Sequence, residues 1–346
     1  MSFLLLLAAA LPFESMFAPA VPGNMRNSEA DTVVLRDGRL LLAWTDFDTD
    51  GSSDWARAKI SARISRDRGE TWGEKFTLQE NIGAMNVMEP DLLRLKSGKI
   101  LFIFCRKNSE GDAAPFVRVS RDDAKTFSPA RPMAITPSPS YTGFNHDRAI
   151  QLRSGRILMP LFFTTDYRVD PHIRSRVYYS DDEGETWTPS ETILDLPDSK
   201  PGAQEPGVVE RKDGSVLLWV RTAKGQIYRA VSADRGKSFG ALSPMAVDSP
   251  LSPQSIKRHP KTKDLILVWN NSTTTRRAPL TAAVSKDEGE TWMLYKNLDE
   301  TLGATFAYTS IEWLRDRALM TYYVKNVGPG WSLKLKAVPL DWFYKR

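Results

Sequence analysis

Turn residues followed by short apolar runs recur along the whole chain. Asp-Gly and Ser-Gly pairs supply the positive φ of tight hairpin turns, and the runs that follow have the length of strands. This pattern predicts hairpins throughout and no helix of useful length. The six turn-and-run units are Asp37-Gly38 before RLLLAW, Ser97-Gly98 before KILFIF, Ser154-Gly155 before RILMPLFF, Asp213-Gly214 before SVLLWV, Lys263-Asp264 before LILVW, and Asp316 before RALMTYYV.

A second repeat runs in step with the first. Five segments share the pattern S-x-D-x-x-x-[TS]-[WF], and their starts are 55, 60, 52 and 53 residues apart. Glycine occupies the fifth position of four of them, and Ala124 occupies it in the second. The five boxes are Ser65 to Trp72, Ser120 to Phe127, Ser180 to Trp187, Ser232 to Phe239, and Ser285 to Trp292.

A unit of about 50 residues with four short strands is typical of a propeller blade. In each box the Asp and Ser or Thr side chains can bond their own turn, while the closing Trp or Phe packs between strands. The spacing therefore predicts an all-β chain whose residues 21–346 form one six-bladed β-propeller. We expect the C-terminal segment SLKLKAVPL to pair with N-terminal sequence and close the ring.

The N-terminus carries an apolar run, Phe3 to Leu11, that is too short to span a bilayer. Its length is that of a signal-peptide core, and Ala18-Pro19-Ala20 offers one cleavage signal. We therefore expect residues 1–20 to be a leader and the protein to be secreted or periplasmic. The alternatives are a first strand of the fold and a cytoplasmic protein, since Met1 and Ser2 supply no positive charge before the run.

Composition narrows the chemistry. The net charge is +5, but the basic residues are scattered among acidic ones, so no nucleic-acid surface is predicted. One cysteine, Cys105, excludes a disulfide framework within the chain, and three separated histidines lack metal-ligand spacing. We expect no metal and no cofactor, and the sequence does not indicate an oligomeric state.

The five boxes resemble the Asp-box (BNR) repeats of the sialidase, or neuraminidase, superfamily, over roughly Ser28 to Tyr344. This resemblance implies a six-bladed propeller in which the boxes hold outer turns and perform no chemistry. It also implies an exo-acting, retaining glycoside hydrolase that releases terminal sialic acid, or a related acidic sugar, from glycoconjugates. The family uses a tyrosine nucleophile with a glutamate partner, three arginines that bind the substrate carboxylate, and a loop aspartate as acid and base.

The segment Gln204 to Arg221, QEPGVVERKDGSVLLWVR, is similar to the sialidase stretch that carries the tyrosine's partner. The resemblance places Glu205 at that glutamate and Arg221 at one clamp arginine. Tyr308 begins a strand at the place of the nucleophile, with Tyr322 and Tyr323 as rivals on the return strand.

Two further elements of the resemblance are less regular. Arg277, in RRAPLT, matches a second clamp arginine in spacing, although Pro279 replaces the usual asparagine and Arg276 is a rival. In the N-terminal segment, Ser28 falls where the third arginine is expected. Arg26 fits only if the backbone differs by two residues, and Glu29 indicates an acidic group near the site.

The acid/base role is expected of Asp54, in a Gly/Ser-rich loop 11 residues before the first box. Asp48 and Asp50 are its rivals. Other polar residues begin the inner strands of further units and are expected to face the central funnel and bind substrate, with satisfaction of buried strand ends as the alternative. Of these, Arg106 and Arg148 are further candidates for the third clamp arginine. The set is Glu89, Arg106, Asn145, His146, Asp147, Arg148 and Gln254.

Two other functions remain open at this point. One is a propeller that binds carbohydrate without catalysis, which we expect if Arg26 does not reach the site. The other is a lyase or hydrolase of a different acidic polysaccharide, with Tyr308 or His146 as base. Geometry separates them, because the sialidase hypothesis requires the Tyr308 hydroxyl within hydrogen-bond reach of Glu205, with Arg221 and Arg277 beside it.

Overall fold

The computed structural model describes residues 11–136 and 139–345. This part of the chain contains 25 strands and one short 3-10 helix, Leu340–Tyr344, which confirms the prediction of an all-β protein. Residues 1–10 of the predicted leader, which include the apolar run except Leu11, lie outside the described residues. The strands in chain order are β1 (Phe13–Ala18), β2 (Arg26–Val34), β3 (Leu40–Phe47), β4 (Lys59–Ser65), β5 (Phe76–Gln79), β6 (Asn86–Arg94), β7 (Ile100–Ser109), β8 (Asp112–Ser120), β9 (Arg131–Pro132), β10 (Tyr141–Gly143), β11 (Ile150–Gln151), β12 (Ile157–Thr164), β13 (Arg174–Ser180), β14 (Thr188–Pro189), β15 (Gln204–Glu210), β16 (Val216–Arg221), β17 (Gln226–Ser232), β18 (Ser243–Asp248), β19 (Ser255–Arg258), β20 (Leu265–Asn270), β21 (Leu280–Ser285), β22 (Met293–Asp299), β23 (Thr305–Trp313), β24 (Arg317–Lys325) and β25 (Ser332–Pro339).

Within the described residues these strands form five sheets. Four sheets have four strands each, in the orders β2-β3-β4-β5, β15-β16-β17-β18, β19-β20-β21-β22 and β1-β25-β24-β23. The fifth has nine strands, and its two halves meet where β10 runs parallel to β8 at Tyr141 and Ala113. Neighbouring strands in the four smaller sheets are antiparallel, as hairpin turns require.

Strand β1 adds the outer strand to the sheet that contains the C-terminal β25. The register pairs Phe13 with Ala337 and Ser15 with Leu335, which confirms that the C-terminal strand pairs with N-terminal sequence. Phe17 is 5% exposed and packs edge-on against two tryptophan rings. Strand β1 therefore lies within residues 1–20, the segment predicted to be a leader, although it is paired with the rest of the fold.

Each of the five boxes is a turn that its own side chains hold together. In the first, the Gly69 amide donates to Ser65 Oγ at 2.8 Å, and the Thr71 amide donates to Asp67 at 2.8 Å. The Trp72 indole donates to the Gly69 carbonyl at 3.1 Å. The corresponding Ser and Asp contacts recur in the boxes that begin at Ser120, Ser180, Ser232 and Ser285.

Tryptophans on second strands anchor the core. Trp44, Trp219 and Trp269 occupy similar places in the RLLLAW, SVLLWV and LILVW runs, and they are 1%, 2% and 1% exposed. Each such ring buries a large apolar area against neighbouring strands. Among residues 11–136 and 139–345, no helix is long and apolar enough to cross a membrane.

Four first strands share a backbone irregularity. Glu29, Glu89, Glu205 and Tyr308 have φ values of 40°, 61°, 45° and 59°, and the pairing of each strand with its neighbour shifts register at that residue. A bulge interrupts side-chain alternation and re-aims a side chain. Left-handed φ is costly for these residue types, and such strain concentrates at functional sites.

Candidate active site

The four irregular residues meet at one end of the sheets, around a cavity of about 300 Å³. Its walls come from the starts of first strands, the ends of second strands, and the loops after β3, β12, β20 and β24. Most of its polar groups were predicted from the sequence. The lining residues are Arg26, Glu29, Asp54, Trp55, Glu89, Lys107, Tyr141, Phe162, Tyr167, Ile173, Gln204, Glu205, Arg221, Arg277, Tyr308 and Trp331.

Tyr308, Glu205 and Arg221 form a hydrogen-bonded chain in this pocket. The Tyr308 hydroxyl donates to Glu205 Oε1 at 3.0 Å, and Arg221 Nη1 donates to the same oxygen at 2.8 Å. The side chains of Arg221 and Glu205 are 11% and 13% exposed. The geometry that separates the hypotheses is therefore present, whereas the catalytic roles stay predictions.

Electrostatics hold the Tyr308 phenol in its protonated form. Burial, and then the charge of Glu205, raise the pKa of Tyr308 well above its ordinary value, while Arg221 and Arg277 act in the opposite direction. The phenol can thus become a nucleophile only by passing its proton on. Glu205 is the acceptor already in contact with it.

Arg26 reaches the pocket, although the sequence placed Ser28 at the clamp position. Side chains at positions 26 and 28 share a face of strand β2 because strands alternate with a period of two, so the longer Arg26 side chain extends from that face into the cavity. Its Nη2 donates to Glu29 at 2.7 Å and its Nη1 donates to Asp54 at 2.6 Å. The Trp331 ring centroid lies 4.3 Å from its guanidinium carbon.

Asp54 lies at the pocket mouth in the loop between β3 and β4, and its side chain is 58% exposed. Partial withdrawal from solvent opposes its ionisation, but Arg26 and then Lys107 outweigh this and hold the pKa of Asp54 at about 2. Its rivals lie elsewhere in the loop. Asp48 pairs with Arg57, and Asp50 accepts a bond from the Gly23 amide.

Arg277 also lines the pocket, whereas its neighbour Arg276 does not. Arg277 donates to the Tyr323 hydroxyl at 3.0 Å and to the Leu251 carbonyl at 2.9 Å. Both acceptors are neutral, so Arg277 has no carboxylate partner among the described residues. Tyr322, the other rival for the nucleophile, donates to Asp299 away from the pocket.

Glu89 is a carboxyl group that keeps its proton. It is 9% exposed, and its Oε2 has no hydrogen-bond partner within the described part of the chain. Burial raises the pKa of Glu89 to about 8, with Lys107 opposing and Glu29 and Glu205 reinforcing the shift. At neutral pH it therefore presents mainly a hydroxyl donor to the pocket.

Several pocket residues were missed by sequence reasoning. Lys107 lines the cavity in place of the predicted Arg106, because adjacent strand residues point to opposite faces. Arg106 instead donates to Asp112 at 2.9 Å. The aromatic wall, in which Trp55, Tyr141 and Tyr167 have ring centroids 5.4 to 6.2 Å apart, carried no sequence signal beyond the place of Trp55 beside Asp54.

The remaining predicted residues do not line the pocket. They are buried among the inner strands, and all except Asn145, whose side-chain atoms have no hydrogen-bond partner within the described residues, make bonds between strands. His146 Nε2 lies 3.0 Å from the Tyr308 carbonyl, and burial, then Arg148, lower the pKa of His146 well below its ordinary value. Asn145 is fully buried beside it.

Asp147, Arg148 and Gln254 likewise join strands. Asp147 pairs with Lys257 and accepts a 3.0 Å bond from the Ile311 amide, and Arg148 donates to the Gln254 carbonyl at 2.7 Å. The contacts of these residues match the second interpretation given for them, in which they satisfy polar groups at buried strand ends, and not substrate binding in the pocket. Among residues 11–136 and 139–345, no group of three or more His, Cys, Asp or Glu side chains is placed to hold a metal ion.

Comparison with known proteins identifies the class. The BNR repeat-like domain family matches residues 84–320. The chain is 29% identical over 235 residues to a sialidase of Paraclostridium sordellii, covering 61% of this chain and 56% of that protein. It is 26% identical over 337 residues to a sialidase of Micromonospora viridifaciens, covering 85% and 49%. The chain thus spans about half the length of the curated relatives it matches.

Solved structures show the same fold. A Dyadobacter fermentans protein of unknown function matches with a TM-score of 0.75 at 20% identity, covering 94% of this chain and 99% of that one. Trypanosoma rangeli sialidase in complex with the inhibitor DANA matches with a TM-score of 0.73 at 14% identity, covering 95% and 60%. The chain belongs to the BNR repeat-like family within the sialidase superfamily.

Proposed function

We propose that this chain is an exo-acting, retaining sialidase that releases terminal sialic acid, or a related acidic sugar, from glycoconjugates. One observation carries the proposal. A half-buried tyrosine donates its hydroxyl to a glutamate that an arginine also holds, at 3.0 and 2.8 Å, inside a pocket that two further arginines line. This arrangement suits a substrate whose anomeric carbon bears a negative charge, because a neutral phenol is not repelled by it.

The reaction follows from these contacts. Tyr308 Oη attacks the anomeric carbon and passes its proton to Glu205, while Asp54, once protonated, gives its proton to the departing glycosidic oxygen. The sugar is then bound to Tyr308. Asp54 next takes a proton from water, whose oxygen attacks the same carbon, and Glu205 returns the proton to the phenol. Two displacements retain the anomeric configuration.

The arginines supply the binding energy for the carboxylate. Arg26, Arg221 and Arg277 line one small pocket, and gathering like charges is costly unless an anion shares them. Glu89 and Lys107 line the same cavity, and we propose that they bind the rest of the sugar. The protonated Glu89 adds a donor without adding a charge that would repel the substrate.

The framework of the proposal is a six-bladed propeller. The nine-stranded sheet divides into two units at the single parallel pairing of β8 and β10, and with the four smaller sheets this gives six units, which we propose are the six blades.

Export of the protein is also part of the proposal. Because β1 pairs with β25, processing after Ala20 would remove a paired strand, so we propose cleavage before Phe13.

The structure does not favour two of the competing functions, and a third requires product analysis. A binding propeller was expected if Arg26 did not reach the site, and Arg26 lines the pocket. A lyase with His146 as base is not favoured, because His146 is fully buried behind Tyr308. A lyase that uses Tyr308 as its base is distinguished from a hydrolase by its products, because elimination gives an unsaturated sugar and hydrolysis does not.

The test is hydrolysis of a fluorogenic sialoside by the purified chain, compared with its carboxamide analogue. We expect turnover of the sialoside and a loss of at least about a hundredfold in kcat/KM for the carboxamide, because the charge-assisted bonds are lost. Equal rates for both substrates would refute the carboxylate clamp. No release of sugar from the sialoside would refute the hydrolase.

A further inference from the structure

We infer that Asp54 and the substrate carboxylate compete for Arg26, so that the arrival of substrate frees Asp54 for proton transfer. The inference rests on the proposed function, because it requires a substrate that carries a carboxylate. It addresses a conflict within the site, where the expected acid is held in an ion pair with a residue expected to bind substrate.

The donors of Arg26 are nearly all in use. A guanidinium has five N–H groups, and a carboxylate bound through two parallel bonds needs two of them on neighbouring nitrogens. Four bonds are already made, so an incoming carboxylate must displace an existing acceptor. The acceptors are Ser28 Oγ at 2.8 Å from Nε, the Ser52 carbonyl at 3.1 Å and Asp54 at 2.6 Å from Nη1, and Glu29 at 2.7 Å from Nη2.

Burial decides which carboxylate leaves. Glu29 is 1% exposed, and its second oxygen accepts a bond from the Ser28 hydroxyl, so releasing it would leave a buried charge unpaired. Asp54 is 58% exposed and returns to water when it leaves. Arg26 itself is fixed between the rings of Phe47 and Trp331, whose centroids lie 4.5 and 4.3 Å from its guanidinium carbon.

Release changes what Asp54 can do. In the ion pair its pKa is about 2, so it has no proton to give a leaving group at ordinary pH. Three cations face Asp54 and favour its ionised form: Arg26, Lys107 and Arg221. The charge of Asp54 in turn raises the pKa values of three neighbouring groups: Glu89, Tyr141 and Tyr308. Loss of Arg26 removes the strongest cationic partner, while the substrate carboxylate adds a like charge nearby. Both changes raise the affinity of Asp54 for a proton.

Calorimetry with the inhibitor DANA tests the coupling. Binding is measured at about pH 5 in buffers that differ in ionisation enthalpy, for the unaltered protein, Asp54→Asn, and Asp50→Asn as the loop control. We expect proton uptake on binding that Asp54→Asn lacks and Asp50→Asn keeps. We also expect Asp54→Asn to bind DANA about tenfold more tightly, because nothing charged then competes for Arg26.

A crystal structure of the DANA complex decides the geometry. The inference predicts that the Arg26–Asp54 ion pair is broken and the Arg26–Glu29 pair is kept. A complex in which Asp54 still contacts Arg26, or equal proton uptake in Asp54→Asn, overturns it. Release of Asp54 without turnover of a sialoside would instead refute the hydrolase alone. Failure of DANA to bind any of the three proteins would refute both.

Discussion

Tyr308 and Glu205 lie 103 residues apart in sequence, and their side chains meet at a hydrogen bond of 3.0 Å. Each has a left-handed φ, 59° and 45°, at a register shift in the first strand of its unit. Repeated hairpin units thus place different side chains in one structural position around a shared pocket. Glu29 and Glu89 occupy the same position in two other units.

Removal of the Tyr308 hydroxyl is the direct test of the nucleophile. We expect Tyr308→Phe to lower kcat for a fluorogenic sialoside by on the order of a thousandfold or more, with DANA affinity changed by less than about tenfold. Tyr322→Phe is the control, because Tyr322 is a fully buried tyrosine whose hydroxyl bonds to Asp299 outside the pocket. Full activity in Tyr308→Phe would remove this residue from the mechanism.

Two adjacent arginines allow a matched test of the carboxylate clamp. Arg277 lines the pocket and Arg276 does not. Arg277→Ala should raise KM for the sialoside by roughly tenfold to a hundredfold through loss of charge-assisted bonds. Arg276→Ala should leave kcat and KM unchanged. Steady-state kinetics of the pair decides, and equal effects would contradict the assignment of Arg277.

Glu89 should make stability depend on pH. Its pKa is about 8 in the folded chain, against an ordinary value of 4.5. Between these values the folded state binds the extra proton, so the stability that this group contributes is present below about pH 4.5 and declines as the pH rises toward 8. Glu89→Gln mimics the protonated form and should gain free energy of unfolding over the unaltered protein as the pH increases.

Urea unfolding at about pH 5 and pH 8 measures this difference. Glu312, whose pKa is also raised to about 8, contributes to both proteins and cancels in the comparison. The exposed Glu80 supplies the control variant, Glu80→Gln, which should follow the unaltered protein at both pH values. Parallel curves for Glu89→Gln and the unaltered protein would refute a protonated Glu89.

The N-terminal strand should contribute to stability. Phe17 is 5% exposed and contacts Trp44 and Trp72 at ring-centroid distances of 5.2 and 5.1 Å. Phe17→Ala should therefore lower the free energy of unfolding by about 3–5 kcal/mol. Met16→Ala, in the same strand but 45% exposed, should change it by less than about 1 kcal/mol. Equal effects in denaturant unfolding would mean that β1 does not pack as described.

The sequence by itself determined the repeat and much of the candidate chemistry. Turn pairs and boxes form backbone bonds within a few residues of sequence. Their spacing along the chain therefore predicts hairpins and an all-β chain without knowledge of the tertiary structure. Glu29, Glu89 and Glu205 each lie nine residues before the turn glycine of their unit, although Glu205 was assigned through the resemblance and Glu89 as a polar residue at a strand start. The resemblance supplied Tyr308, Arg221, Arg277 and Asp54.

Tertiary structure alone decided which of these side chains share a pocket. Arg26 rather than Ser28, and Lys107 rather than Arg106, line the cavity, because strand alternation, side-chain length and bulges set direction in ways that a count of residues does not resolve. His146, Asp147 and Arg148 resemble site residues in sequence, yet they are buried in contacts between strands. The ion pair of Arg26 with Asp54 joins a strand to a distant part of a loop. The pairing of β2 with β3, which puts Arg26 opposite Phe47, and the path of the loop after β3 bring those two charges together.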